Sequence, residues 1–378
     1  MKSYDVIVAG AGIIGSSVAR ELARRGLHVL VLDRQEPGKE ASWAAAGMLT
    51  PAAESVEALP LVEFAKASFA LYNEFVQQVE QSTGRAIDYR REGALEVFFG
   101  DGAEDRRAAW LATFRGSGFE PKPLSAADLR RMEPALAADA AAGALLADEG
   151  AVDNRQLSEA VAEAARREGA KLRGGVEVTG IVSADGRATG VETRQERIAA
   201  EHVVMAAGSF TAQIRGAERY APTVPARGQM VALSPASQGF GLPVRRVVRG
   251  PAYLVPRADG RLLVGATVEH VGYEKAVTPG GIGRLLTDAV RMVPALASAP
   301  IVETWSGLRP DTPDHLPILG PTDVEGLWFA TGHFRNGILL APGTARALGE
   351  WITEGKTSLP VERFSAMRFA HRAQSLAR

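Results

Sequence analysis

Gly10-Ala11-Gly12-Ile13-Ile14-Gly15 has the GxGxxG spacing, and its chemistry is the holding of a diphosphate on backbone N–H groups at a helix start. Gly10 permits the tight turn, Gly12 lets the diphosphate approach the backbone, and Gly15 lets helix and strand pack closely. In a chain with 40 glycines the loop alone is weak evidence. Its setting strengthens it. An apolar run leads in, Ile14, Val18 and Leu22 follow at helical spacing, and Asp33 ends the next apolar run about twenty residues on. An acid there accepts hydrogen bonds from adenosine ribose hydroxyls. The unit reads as a dinucleotide site, and it does not decide between a nicotinamide and a flavin.

The elements around it follow from periodicity. Residues 5–9 and 28–33 are near-continuous apolar runs, as parallel strands covered on both faces require, and Gly26 stops the helix between them. The stretch 41–48 is too rich in small residues for a well-anchored helix, so something must pack close to it. Helices are expected over 61–81, 104–114 and 153–167, and Ser125 with Asp128 forms a capping box that opens another. The alanine-rich 136–146 carries little information. Asp185-Gly186 suits a two-residue type I′ hairpin turn between 176–182 and 188–193, and Asp259-Gly260 is expected to repeat the device. Near the far end, 327–330 reads as a strand, followed by a loop and a helix with Pro342 in its first turn. These elements predict an α/β (α+β overall) chain. Its Rossmann-like dinucleotide-binding domain is expected to be discontinuous (1–85, 145–215 and 310–378), beside a mixed or antiparallel-sheet substrate domain (86–144 and 216–309).

Bulk properties narrow the chemistry. The chain has 378 residues, 46% of them apolar, and a formal net charge of −1, which removes the basic footprint that nucleic-acid binding needs. It has no cysteine, so disulfides, thiolate metal sites and a cysteinyl flavin link are excluded. The first apolar run is far shorter than a membrane span, and a cytoplasmic protein without a transmembrane segment is expected. The six histidines lack metal-ligand spacing, and no metal is expected. Asp311, Asp314 and His315 read as turn residues, and Arg363, Arg368, Arg372 and Arg378 as a solvated basic tail.

Three segments beyond the loop are more specific: 42–48 with the following Thr50-Pro51-Ala52-Ala53-Glu54, then 203–210, and 305–310 together with 332–342. Through them the chain resembles the D-amino-acid oxidase superfamily, in particular the glycine oxidases of thiamine biosynthesis, over almost its whole length. The resemblance implies non-covalent FAD. Residues matching Gly10, Gly12, Ile13, Ile14, Gly15, Asp33, Arg34 and Val176 would serve its adenosine and diphosphate end. Ala41, Ser42, Ala46, Gly47, Met48 and Gly208 would line the flavin side, with His333, Phe334, Arg335, Asn336, Gly337, Ile338 and Leu339 at the helix that faces the ring. A positive helix end there would stabilise charge that develops on reduction.

The same resemblance implies that Arg309 and Tyr253 hold the substrate carboxylate, with Arg335 close by. An arginine at a strand end is ordinarily solvated, but Gly307-Leu308 and Pro310 give Arg309 an apolar setting. A guanidinium offers a carboxylate two parallel donors. The implied reaction is oxidative deamination of a small amino acid by hydride transfer to flavin, without an acid or base from the protein. Glycine comes first, with sarcosine or small D-amino acids beside it. It gives a 2-oxo acid, ammonia or an amine, and hydrogen peroxide when molecular oxygen is the acceptor. Val268 departs from the methionine often found near that pocket. A D-amino-acid or N-methyl-amino-acid dehydrogenase using another acceptor, and a non-catalytic FAD-binding protein, stay open as alternatives, as does a homo-oligomer.

Overall fold

The computed structural model describes residues 4–52, 56–114, 117–235 and 241–370. Ala53 and Glu54 of the quoted segment, and Arg372 and Arg378 of the tail, lie outside the described residues.

Val6, Ile7, Val8, Leu30 and Val31 are all fully buried, because the strands Tyr4–Ala9 and Val29–Leu32 lie side by side in a parallel sheet covered on both faces. Tyr4–Ala9 also pairs in parallel with Arg197–Met205, which pairs in parallel with Leu327–Thr331. Strands far apart in sequence therefore meet at the sheet centre, and the far-end strand–loop–helix packs beside the glycine loop. The helices Ile13–Arg24, Asn154–Arg167 and Gly337–Glu354 cover one face through Val18, Leu22, Leu157, Val161, Leu340 and Leu348.

The second sheet has eight strands among the described residues. It runs from Ile301–Asp311 through Val224–Leu233, Leu262–Gly265, Tyr253–Pro256, Val247–Arg249 and Ala94–Phe99 to Ala140–Leu146 and Lys122–Ser125. All neighbours are antiparallel except Val247–Arg249 with Ala94–Phe99. The chain is thus a mixed α/β protein with a Rossmann-like layer and a largely antiparallel layer.

Several local expectations change. The alanine-rich stretch is a strand, its small side chains Ala142 and Ala144 fully buried. The expected 61–81 helix is two helices, Val62–Ala70 and Tyr72–Thr83, split where the Leu71 N–H bonds to Ser68 O. Asp185 and Gly186 both have positive φ (50° and 77°), as a type I′ turn demands. Asp259-Gly260 does not repeat it. There only Gly260 is left-handed (87°), its N–H bonds Arg257 O, and Arg257 faces Arg261 across a three-residue loop. The capping box is present, with the Asp128 N–H donating to Ser125 Oγ. Arg368 is not a solvated tail residue: it pairs with Asp314 and donates to Leu316 O.

Pro342 lies in the second turn of Gly337–Glu354, not the first. A proline there leaves the carbonyl four residues earlier without its helical donor. The orphan is Ile338 O, and the Tyr72 hydroxyl donates to it at 3.0 Å. The Ser68 hydroxyl repairs the next position, donating to Leu339 O at 2.7 Å while accepting from Gly343 N at 3.0 Å. Tyr72→Phe would strand a buried carbonyl at the helix that opens on the site. Urea unfolding should show a loss of about 1–3 kcal/mol; a change below about 0.5 kcal/mol would contradict this role.

Candidate active site

A cavity of about 620 Å³ lies between the two layers. At one end it begins at the glycine loop. Gly10 has φ of 106°, open to glycine at little cost, and a Cβ on it would overlap Ala206 O. A Cβ on Gly15 would overlap the Gly10 carbonyl, so helix and turn touch without side chains. The Asp33 carboxylate accepts from Ala11 N at 2.7 Å and Gln35 N at 3.0 Å, tying the strand end to the loop. Burial pushes the Asp33 carboxyl up, against the pull of those two N–H donors. Ser42 Oγ accepts from Ile13 N at 2.9 Å in the first turn of the helix. Arg34 stacks on Phe210 at 3.4 Å and pairs with Glu40.

The small-residue stretch is a single helical turn, Ala41–Ala44, running into Met48–Leu49. A Cβ on Gly307 would overlap the Ala44 methyl and one on Gly47 the Val152 carbonyl, the close packing that the small residues of this stretch predicted. Ala41, Ser42, Ala46, Gly47 and Met48 all line the cavity, as do Gly10, Gly12, Ile13, Ile14, Asp33, Arg34 and Gly208. From the far-end loop, His333, Phe334, Arg335, Gly337 and Ile338 reach it. Gly15, Val176, Asn336 and Leu339 are not on its wall. Gly15 packs beneath the loop, Asn336 caps the helix, and Leu339 is core. The Val176 N–H is bonded to Asp33 O, and its neighbours Glu177 and Val178 form the wall.

The opposite wall is the face of the second sheet. Arg309 Nη1 donates to Thr267 O at 3.1 Å, and its guanidinium lies over Gly228, where any Cβ would collide with it. Tyr253 stands opposite Gly265 in the register, a Cβ on which would overlap the tyrosine ring. Its hydroxyl lies 3.1 Å from Met230 Sδ. Two glycines on neighbouring strands thus clear the space that the arginine and the tyrosine occupy. Arg335 is exposed at the cavity mouth, 5.1 Å from the Phe334 ring, and Val268 is on the wall.

His333 is 3% exposed, with Nε2 3.0 Å from Thr344 Oγ1. Burial lowers its imidazole to about 3. The unfolded chain takes up that proton near the ordinary value of about 6.5 while the folded chain resists, so stability falls as pH drops from about 6.5 towards about 3. Denaturant unfolding of the FAD-bound protein at descending pH should show His333 contributing about 1.4 kcal/mol of loss per unit over that window. His333→Gln should flatten the slope by that amount; an unaltered slope would show that His333 is not the group responsible.

Sequence reasoning missed an ionic group on the same wall. Arg249 Nε donates to Glu96 Oε2 at 3.0 Å, and Nη1 lies 2.9 Å from the buried Glu149. Arg249 and Glu96 are register partners on parallel neighbouring strands, 153 residues apart, a pairing no local motif announces. Trp110 and Phe114 close that end.

The cavity suits an extended dinucleotide: a glycine-lined helix start and the Asp33 carboxylate at one end, a small-residue wall and a second helix start further along. Opposite stands a cationic and phenolic face suited to a small anion. This is the layout of an FAD-dependent oxidoreductase. Residues 5–351 match the family described as DAO: FAD dependent oxidoreductase, and the chain belongs to that family. It is 39% identical over 371 residues to the bifunctional protein ThiO/ThiG of Synechocystis, covering 97% of this chain and 54% of that protein. It spans about half the length of the first such relatives. The glycine oxidase of Geobacillus kaustophilus is 34% identical, with 97% of each chain covered. The crystal structure of glycine oxidase from that organism superposes with a TM-score of 0.90 at 32% identity, covering 97% of this chain and 99% of that one. Among the described residues no helix is long and apolar enough to cross a membrane.

Proposed function

We propose that the chain oxidatively deaminates a small amino acid, glycine first, with molecular oxygen as the final acceptor. The observation that carries this reading is the pairing of Arg309 over Gly228 with Tyr253 over Gly265, on the sheet face opposite the 41–48 wall. Bound FAD would supply the two-electron acceptor. Arg309 binds the substrate carboxylate through two parallel N–H donors, and Tyr253 adds a third from its hydroxyl. Together they orient the α-C–H towards the flavin wall, and the protein contributes orientation rather than proton transfer. His333, neutral and bonded to Thr344, shapes that wall without adding charge. For glycine the sum is glycine, water and dioxygen in, and glyoxylate, ammonia and hydrogen peroxide out. The likeness to relatives named glycine oxidase supports this substrate.

The test is peroxide release by the FAD-bound protein from glycine, sarcosine, D-alanine and D-proline side by side. Glycine should give the highest kcat/KM. No peroxide from any of the four, despite reduction of the flavin, would overturn oxygen as the acceptor. A clear preference for D-proline would overturn glycine.

A further inference from the structure

The flavin-side wall is held from behind through its carbonyls. Asn154 Nδ2 donates to Ser42 O at 2.8 Å and to Trp43 O at 3.0 Å. Trp305 Nε1 donates to Ala44 O at 3.0 Å, Arg257 Nη2 to Ala46 O at 2.7 Å, and Val152 N to Gly47 O at 2.8 Å. In a trans peptide the C=O and the following N–H point in opposite directions. With the Ala46 and Gly47 carbonyls drawn back into the protein, the N–H groups of Gly47 and Met48 turn towards the cavity that both residues line.

Arg257 is the fully buried charged donor of this set; Arg155, whose Nε reaches Trp43 O at 3.4 Å, is only partly buried and pairs with Glu303. Arg257 follows Tyr253–Pro256, the strand that carries Tyr253, and is 2% exposed. Its guanidinium also reaches Asn154 Oδ1 at 3.0 Å, and Asp153 Oδ2 lies 3.7 Å from its Nε. Burial lowers it to about 10, with Asp153 opposing, so it is a cation at neutral pH. A buried cation acts over a short distance through a poorly screening interior. Here it sits one peptide unit from the cavity.

We propose that Arg257 is a positioning residue for the flavin: it sets the Ala46–Gly47 peptide with its N–H towards the ring, and its charge favours the reduced cofactor. It couples the strand of the substrate clamp to the wall that would face the flavin. This inference rests on FAD binding and not on the choice of amino acid, so a failed glycine assay leaves it standing.

The test is the flavin midpoint potential of the FAD-bound protein, read against a reference dye. In Arg257→Met the ratio of reduced to oxidised flavin at fixed potential should fall about tenfold, or about 30 mV for a two-electron couple. Arg257→Lys should recover most of it. Should the methionine variant fail to retain FAD, Asp153→Asn decides. Asparagine keeps the helix cap while removing the anion beside Arg257, so the ratio should rise, by about threefold. A ratio unchanged in Arg257→Met, or unchanged in Asp153→Asn, would reduce Arg257 to a structural role and overturn the proposal.

Discussion

Arg309→Met is expected to lower kcat/KM for glycine by about 10²–10⁴-fold while leaving bound FAD in place. The estimate comes from two charged hydrogen bonds to a carboxylate, each worth roughly 1.5–3 kcal/mol when shielded from water. Loss of a clamp that, as proposed, also aims the α-C–H should appear in kcat as well as in KM. Arg309→Lys keeps the charge but not the planar fork, and should fall between the two. Gly228→Ala makes the same point without touching the arginine, since the new methyl occupies the space of the guanidinium. Steady-state kinetics on these three variants checks the assignment. Wild-type kcat/KM in Arg309→Met would refute it.

Gly15→Ala should do the opposite damage, removing the cofactor and leaving the substrate face intact. The added methyl overlaps Gly10 O and meets Ala206 Cβ at 3.3 Å, so the helix must back away from the turn. Overpacking of this kind costs about 1–3 kcal/mol, and the helix start moves away from the diphosphate at the same time. Titration of apoprotein with FAD should show Kd raised by about 100-fold or more, the equivalent of roughly 2.7 kcal/mol. Gly26→Ala is the comparison: a Cβ there meets nothing within 4 Å, and only its φ of 88° is strained. A wild-type Kd in Gly15→Ala would show that the contact between helix and turn is not what holds the cradle.

What the sequence made legible was local. The Ser125 cap and the Asp185-Gly186 turn act through neighbours a few residues away, and the glycine loop and Asp33 belong to one strand–turn–helix–strand unit 22 residues across, so type and spacing disclose them. Arg309 and Tyr253 were reached by resemblance; Gly307-Leu308 and Pro310 marked Arg309 only as an arginine in an apolar setting, and nothing local singled out Tyr253. The glycines that make room for them, Gly228 and Gly265, gave no signal because their meaning lies on the adjacent strand. The same holds for Arg249 with Glu96, and for Tyr72, whose hydroxyl answers a proline 270 positions later. Pro342 looked tolerable at a helix start. Its true place in the second turn works because a distant tyrosine and serine serve the two carbonyls it disturbs.

The measurement that bears most directly on the central claim is anaerobic mixing of the FAD-bound protein with glycine, followed by flavin absorbance. The account predicts full bleaching by glycine in the wild type and at least a 100-fold slower second-order rate in Arg309→Met, in line with about 3 kcal/mol of lost orientation. A flavin that stays oxidised in the presence of glycine, sarcosine, D-alanine and D-proline alike would contradict it.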